Sequence, residues 1–305
     1  MPPIECNLPE LDAAVEAPTG SLRVLNWAGK TAALSYTFDD GNQTQITNYG
    51  ALNALGVPFS FYLTTNWGGA SNAVWTQAVT DGHEIGNHSH THAENGTASE
   101  LDSATQFIET RLGVKPLTMA APYGNTSYSP LAATRFLFNR GVGGGSIAPS
   151  GNVDRYNLPT YIPPANASKA TMDQAVNSAV SRGHWQTVLV HGFVGGNDGA
   201  FQAVPLADFL AHVEGQRDSG KVWIDTLLNV GAYFLGQKLV SGATPSVQGA
   251  NSTWSWTLPE HFPEGRCLRV VSSGTVSQQG AALTKHPLGY YDVALDAGEL
   301  TVSSP

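Results

Sequence analysis

Charge is scarce in this chain: only 13% of its 305 residues are Asp, Glu, Lys or Arg, about half the share usual for a globular protein. The shortage falls mainly on the basic side, with 15 Lys and Arg against 24 Asp and Glu and a formal net charge of −9. Nucleic acid is excluded as a natural partner, because a phosphate backbone needs a positive surface. An acidic polymer would be repelled unless a local basic patch met it. Cysteine is nearly absent. Cys6 and Cys267 lack metal-site spacing. They are either one bridge tying the N-terminal tail to the C-terminal region or two separate thiols. No stretch reaches about 18 apolar residues, so no transmembrane helix is expected. The opening MPPIECNLPE has no positive region followed by an apolar run and does not read as a signal peptide.

What fills the gap is neutral. Gly, Pro, Ser, Thr and Asn are abundant, and such a polar but uncharged surface suits an extracellular setting. Asn-x-Ser/Thr triplets begin at Asn42, Asn87, Asn95, Asn125, Asn166 and Asn251, and they matter only in a glycosylating host. Hydrophobic residues make up 41% of the chain, enough for a sizeable core.

After an extended lead-in over residues 1–21, apolar runs alternate with amphipathic stretches. AALSYTF (32–38), PFSFYLTT (58–65), HEIGNHS (83–89), PLTMAAPYG (116–124) and WQTVLVHGF (185–193) read as strands. Helices are expected over 44–56, 73–82, 100–113, 130–141, 167–183 and 204–220, with VWIDTLLNVGAYFLGQKL (222–239) starting as a strand and becoming a helix. Strand–helix units of this size imply an α/β fold with a parallel sheet. Their count suits an incomplete or distorted (β/α) barrel better than an open sheet, and in both the reactive residues belong at the C-terminal strand ends. After residue 240 the pattern turns to period-two alternation broken by Gly and Pro. We therefore divide the chain into a larger domain over 1–240, including the lead-in, and a small antiparallel β unit over 241–305. Trp254 and Trp256 lie two apart on one face of that unit, where they either bind glycan or seal its interface with the main domain.

Asp39 and Asp40 follow the first apolar strand directly, with Gly41 to turn the chain. Adjacent acids at a strand end point in different directions, so one can bind a metal while the other stays free. An acidic turn is the plain alternative. His88, His90 and His92 place three of the nine histidines within five residues, and any pair of them could converge on an ion. Two imidazoles and a carboxylate that leave room for water match a catalytic divalent site, most naturally Zn²⁺, with Co²⁺ or another transition metal as the alternative. His191 closes the strand TVLVHG, in the same position as the two aspartates. His83, His184, His212, His261 and His286 join no such constellation. Pro122-Tyr123-Gly124 also ends a strand, and the Tyr123 amide there can face the site as an oxyanion donor. Trp67, Phe193 and Tyr128 sit near strand ends in Gly-rich or turn sequence, where they can either stack on substrate or anchor loops.

These residues together resemble the polysaccharide deacetylases of carbohydrate esterase family 4, the NodB-homology family. The resemblance covers roughly residues 30–240. It rests on Thr37-Phe38-Asp39-Asp40-Gly41, on His88-Ser89-His90-Thr91-His92, on Pro122-Tyr123 and on Leu189-Val190-His191. It implies a distorted (β/α) barrel, Asp39 as general base, Asp40, His88 and His92 as metal ligands, Tyr123 as oxyanion donor and His191 as general acid. It also implies a secreted, cell-surface or periplasmic hydrolase that removes acetyl groups from an N-acetylated polysaccharide or oligosaccharide of the chitin, peptidoglycan or poly-N-acetylglucosamine type. The alternatives are an acetyl-ester hydrolase acting on xylan, a small amide or cyclic-imide hydrolase, and a catalytically inactive carbohydrate-binding protein. Two features depart from the family pattern. The Arg expected two residues before the motif-three Pro is replaced by Ala120. The usual Asp near a Trp that tunes the acid has no clear match: Asp154 lies in the region without the Trp, and Arg155 is a candidate for one missing charge.

Overall fold

The computed structural model describes residues 6–16, 18 and 20–304. They fall into two compact units, one over 32–230 and one joining the residues up to 31 with those from 231 onward.

The first unit is built on seven parallel strands. In spatial order they are Phe138–Arg140, Thr118–Ala120, Glu84–Asn87, Ser60–Leu63, Ala32–Phe38 and Trp185–Val190, with Val222–Ile224 also paired to Ala32–Phe38. The central strand divides one edge between two neighbours: Ala32 to Leu34 pair with Val222–Ile224, and Thr37 and Phe38 pair with Ser60 and Phe61. Every residue of AALSYTF is buried, as expected for a parallel strand covered on both faces. Its polar members are satisfied inside: Thr37 Oγ1 donates to the Val188 carbonyl (3.0 Å), and Tyr36 OH bonds the His212 ring (2.9 Å). The outer strands Phe138–Arg140 and Trp185–Val190 do not pair with each other. Single bridges at Leu158 and Tyr161 run along them instead, leaving a sheet that is curled but not closed.

Helices cover the crossovers where periodicity places them. Ala98–Leu112 shows why: Thr97 accepts the Glu100 amide at the start, Leu101, Ala104, Ile108 and Leu112 are buried along one stripe, and Gly113 ends it at φ 70°.

The helix expected over 130–141 is the exception. Pro130 sits in a single turn, Ser129–Ala132, and the chain then becomes the strand Phe138–Arg140. Phe136, Leu137 and Phe138 are all buried. Three consecutive apolar residues sealed on every side suit a parallel strand, whereas a helix at the edge of a core would leave one of them outside.

The second unit is antiparallel. Leu22–Val24, Cys267–Ser272 and Tyr291–Ala294 form a three-stranded sheet with Cys267–Ser272 in the middle. Ala281–Ala282, Thr275–Gln278, Glu299–Ser303, Asn251–Ser255 and Ser246–Gln248 form a five-stranded one. Cys6 and Cys267 are joined in a disulfide. Trp254 is buried opposite Leu300, and the Trp256 indole donates to the Leu295 carbonyl (2.7 Å). Arg269 holds Asp292 with two nitrogens (2.8 and 3.0 Å) and bonds the Pro9 and Ala28 carbonyls, so a buried cation stitches the lead-in to the sheet.

Candidate metal centre and active site

The parallel strands of the first unit deliver their reactive groups at their C-terminal ends. Asp39 and Asp40 follow Phe38, His88 follows Asn87, Pro122 and Tyr123 follow Ala120 and Ala121, and His191 follows Val190. Arg140 is itself the last residue of its strand.

Asp40 and Gly41 take positive φ values of 78° and 73°, so the chain reverses at once, and Asp39 Oδ2 lies 3.6 Å from His88 Nε2. Asp40 Oδ1 lies 3.4 Å from His88 Nε2 and 3.6 Å from His92 Nε2. One ligand atom from each of the three lies within 4.8 Å of the others. Asp40 Oδ1 is buried with no hydrogen-bond partner among the described residues. A buried carboxylate oxygen without a partner is costly, and here it points at two imidazole nitrogens. His88 Nδ1–H donates to the Ala120 carbonyl (2.8 Å). That bond fixes the tautomer and leaves the Nε2 lone pair free, the usual arrangement of a metal-ligating histidine. This N, N, O donor set fits a divalent transition ion with open positions. His90 turns away from the ligand group and bonds Thr65 through Nδ1 (2.9 Å), so of the possible pairs the structure brings together His88 and His92.

The loop between the two ligands is held from outside. Glu100, in the first turn of helix Ala98–Leu112, accepts the His90 and Thr91 amides (3.0 and 2.7 Å) and the Thr91 hydroxyl (2.8 Å). Ser89 and His92 both have positive φ. With Asp40 and Tyr123, four of the ten non-glycine residues in that region surround this one site, a concentration of backbone strain typical of functional centres.

Asp39 is almost wholly buried and ion-paired through both oxygens to Arg140 Nη2. Burial would raise its pKa, but the Arg140 guanidinium and the nearby His88 and His191 outweigh that and hold the carboxyl below its ordinary value. Arg140 therefore supplies the cation that Ala120 does not. Arg155 does not take this part: its guanidinium bonds and overlies Tyr156, while Asp154 accepts the Tyr156 amide (2.8 Å). Burial also works against ionised Asp40, and the neighbouring imidazoles, His88 foremost with His191 and His92, more than reverse this, to a pKa of about 2. Burial pushes His191 down, and its Nδ1 has no hydrogen-bond partner among the described residues.

Two amides lock the strand ends together. Asn42 Nδ2 donates to Asp40 Oδ2 (3.2 Å) and the His191 carbonyl (2.8 Å). Gln45 Nε2 donates to the carbonyls of Asp39 (2.6 Å) and His191 (2.7 Å). In the sequence Asn42 stands out only as the start of an Asn-x-Thr triplet, and Gln45 and Arg140 do not stand out as site residues. The one available signal for Arg140 was a lone cation closing the apolar run FLFNR.

These groups open into a cavity of about 520 Å³. Tyr123, 66% exposed, lies at its rim with its ring 4.5 Å from that of His92, and Trp67 flanks the same imidazole at 5.4 Å. Phe201, 59% exposed, stands edge-on to His191 at 5.3 Å. It was not anticipated, while two residues expected to bind substrate lie elsewhere. Phe193 is 1% exposed and packs on Phe38 and Phe209. Tyr128 is fully buried, its hydroxyl donating to the Ala93 carbonyl (2.6 Å). A side chain without open surface offers no stacking platform, so both anchor loops instead.

The chain is similar to known proteins over part of its length. The profile of the polysaccharide deacetylase family matches residues 28–138. A gellan lyase from a Bacillus species is 31% identical over 134 residues, which are 41% of this chain and 5% of that protein. YlxY of Bacillus subtilis, itself uncharacterised, is 39% identical over 75 residues, 23% of this chain and 24% of its own length. The chain thus matches only a minor part of these relatives. A solved structure from Mycobacterium smegmatis, assigned to the polysaccharide deacetylases, superimposes with a TM-score of 0.53 at 18% identity, over 84% of this chain and all of that one.

Proposed function

We propose that this chain, which matches the polysaccharide deacetylase family over residues 28–138 and shares the fold of a solved structure assigned to it, is a metal-dependent hydrolase that removes acetyl groups from an N-acetylated polysaccharide or oligosaccharide. The observation that carries this reading is the unpartnered Asp40 oxygen facing His88 and His92, beside a second, separately paired carboxylate.

Asp40, His88 and His92 would hold the ion, with zinc the natural choice for two imidazoles and a carboxylate. When bound, such an ion acts as a Lewis acid on a carbonyl oxygen and acidifies water. The chain's own groups do the rest. Asp39, kept ionised by Arg140, accepts the proton of the attacking water. The Tyr123 amide, on a left-handed turn at φ 57°, would donate to the oxygen on which charge develops. His191, across the cavity, delivers a proton to the leaving nitrogen or oxygen, a contribution of about 10²–10⁴-fold. Tyr123 and Trp67 present the ring faces on which a sugar can stack.

The test is acetate release from chitooligosaccharides, peptidoglycan, poly-N-acetylglucosamine and acetylated xylan, with zinc and with chelator. Zinc-dependent release from an N-acetyl substrate is expected. Release from xylan alone would move the protein to ester hydrolysis, and no release by metal-loaded protein would overturn the hydrolase reading. In the same assay Asp40→Ala should lose metal binding and turnover together, whereas Asp39→Asn should keep the metal and lose turnover.

A further inference from the structure

His191 has to meet a leaving atom, yet its buried ring nitrogen Nδ1 bonds to nothing among the described residues. The ring is aimed by packing against Phe201 and by the main chain that carries it. That main chain runs directly into GFVGGNDGAF (192–201), a glycine-rich loop with little conformational preference of its own.

The first turn of the helix Gln43–Asn53 supplies the missing constraint. Asn42 and Gln45 hold the His191 carbonyl, and Thr44 holds the loop beyond it. Thr44 Oγ1 accepts the Phe193 amide (3.1 Å), and the Thr44 amide donates to Asp198 Oδ2 (2.7 Å). Asn42, at the cap position, makes no side-chain cap bond. Asp198 therefore serves as the cap acceptor from 154 residues away, with its negative charge at the positive end of the helix. The fit is steric as well: the Thr44 side chain occupies the space that a Cβ on Gly192 or Gly196 would need. Thr44 is buried in the helix turn and Gly196 is exposed, so the loop is the part that closes on Thr44.

We propose that Thr44 and Asp198 are positioning residues that act through His191, by pinning the loop that follows it. The proposal rests on the reading of His191 as general acid and adds the groups that aim it.

Aiming the acid matters only where the leaving atom needs a proton. A sugar amine or alkoxide does, and p-nitrophenolate does not. The experiment measures kcat of the zinc-loaded full chain on whichever of the four glycans above wild-type protein deacetylates, and on p-nitrophenyl acetate. Gly196→Ala sets a methyl against that of Thr44 and displaces the loop. Its glycan-to-ester ratio should fall about 10–100-fold, the scale of a misplacement of ~1 Å. Thr44→Ser removes the opposing methyl and keeps the hydroxyl for Phe193, so combined with Gly196→Ala it should restore the ratio. Asp198→Ala should lower the ratio without any clash. Zinc affinity should hold in every variant. Equal losses on both substrates, an unchanged ratio in Gly196→Ala and Asp198→Ala, or no recovery in the double variant overturns the proposal. The acid reading survives those outcomes if His191→Ala lowers the ratio. An unchanged ratio in His191→Ala overturns that reading and this proposal with it.

Discussion

Arg140 carries two burdens at the scale of single residues. It holds the base ionised, and it neutralises a carboxylate that has almost no access to water. Arg140→Ala should therefore reduce turnover with metal binding intact. It should also cost about 3–5 kcal/mol of stability, the usual result of stranding one member of a buried pair. Asp39→Asn/Arg140→Met should recover part of that stability with no recovery of activity. Chemical denaturation and metal titration of the three proteins separate these effects.

His83 provides a pH test away from the chemistry. Its Nδ1 accepts the Phe59 amide (3.0 Å) and its Nε2–H faces Asn53 Oδ1 (3.2 Å), so a second ring proton would meet a donor. Burial, only partly offset by Asp81, lowers its pKa to about 4, against about 6.5 in the unfolded chain. Between those values the unfolded state binds the proton and the folded state does not. Its contribution is complete above pH 6.5 and is lost as pH falls toward 4, to the extent of no more than about 3 kcal/mol. His83→Asn, whose side-chain oxygen can accept the same amide, should flatten that part of the stability profile.

Among elements, the helix Ala98–Leu112 reaches the metal site through one carboxylate. Glu100 ties down the backbone of His90 and Thr91, between the two ligands. Glu100→Gln keeps the size but cannot accept all three bonds. We expect metal affinity to fall about 10–100-fold with little change in helix content, as read by competition with a chromogenic chelator and by circular dichroism.

The legibility of the molecule from its sequence follows the same boundary between near and far. Asp39 with Asp40, and His88 with His92, stand within one motif each, so a strand end and a spacing were enough to bring them into view. Arg140 meets Asp39 from 101 residues away, and it ends a segment whose apolar run satisfied a helix as well as a strand. Only burial on all sides separates the two, and burial belongs to the packed molecule. Phe193 and Tyr128 were misplaced for the same reason: an aromatic next to Gly looks exposed until Phe38, Phe209 or the Ala93 carbonyl is known to cover it. The alternation of strands and helices was readable because each element carries its own period, and the change of texture after residue 240 marked the antiparallel sheets in the same way.

For the whole molecule, the Cys6–Cys267 bridge and the reactive groups belong to different compact units. Cys6→Ser/Cys267→Ser should lower thermal stability, on the order of 2–4 kcal/mol for a bridge across a long loop. Activity at ambient temperature should survive, because residues 39–201 supply the whole site. Melting curves with and without reductant, alongside acetate release, check both halves.

The same bridge closes the polypeptide between its cysteines into a covalent ring, since 261 positions separate them. One protease cut anywhere within that ring would add a water and release nothing. The nicked protein would keep its mass apart from that water and run as one species until a reductant freed its two halves.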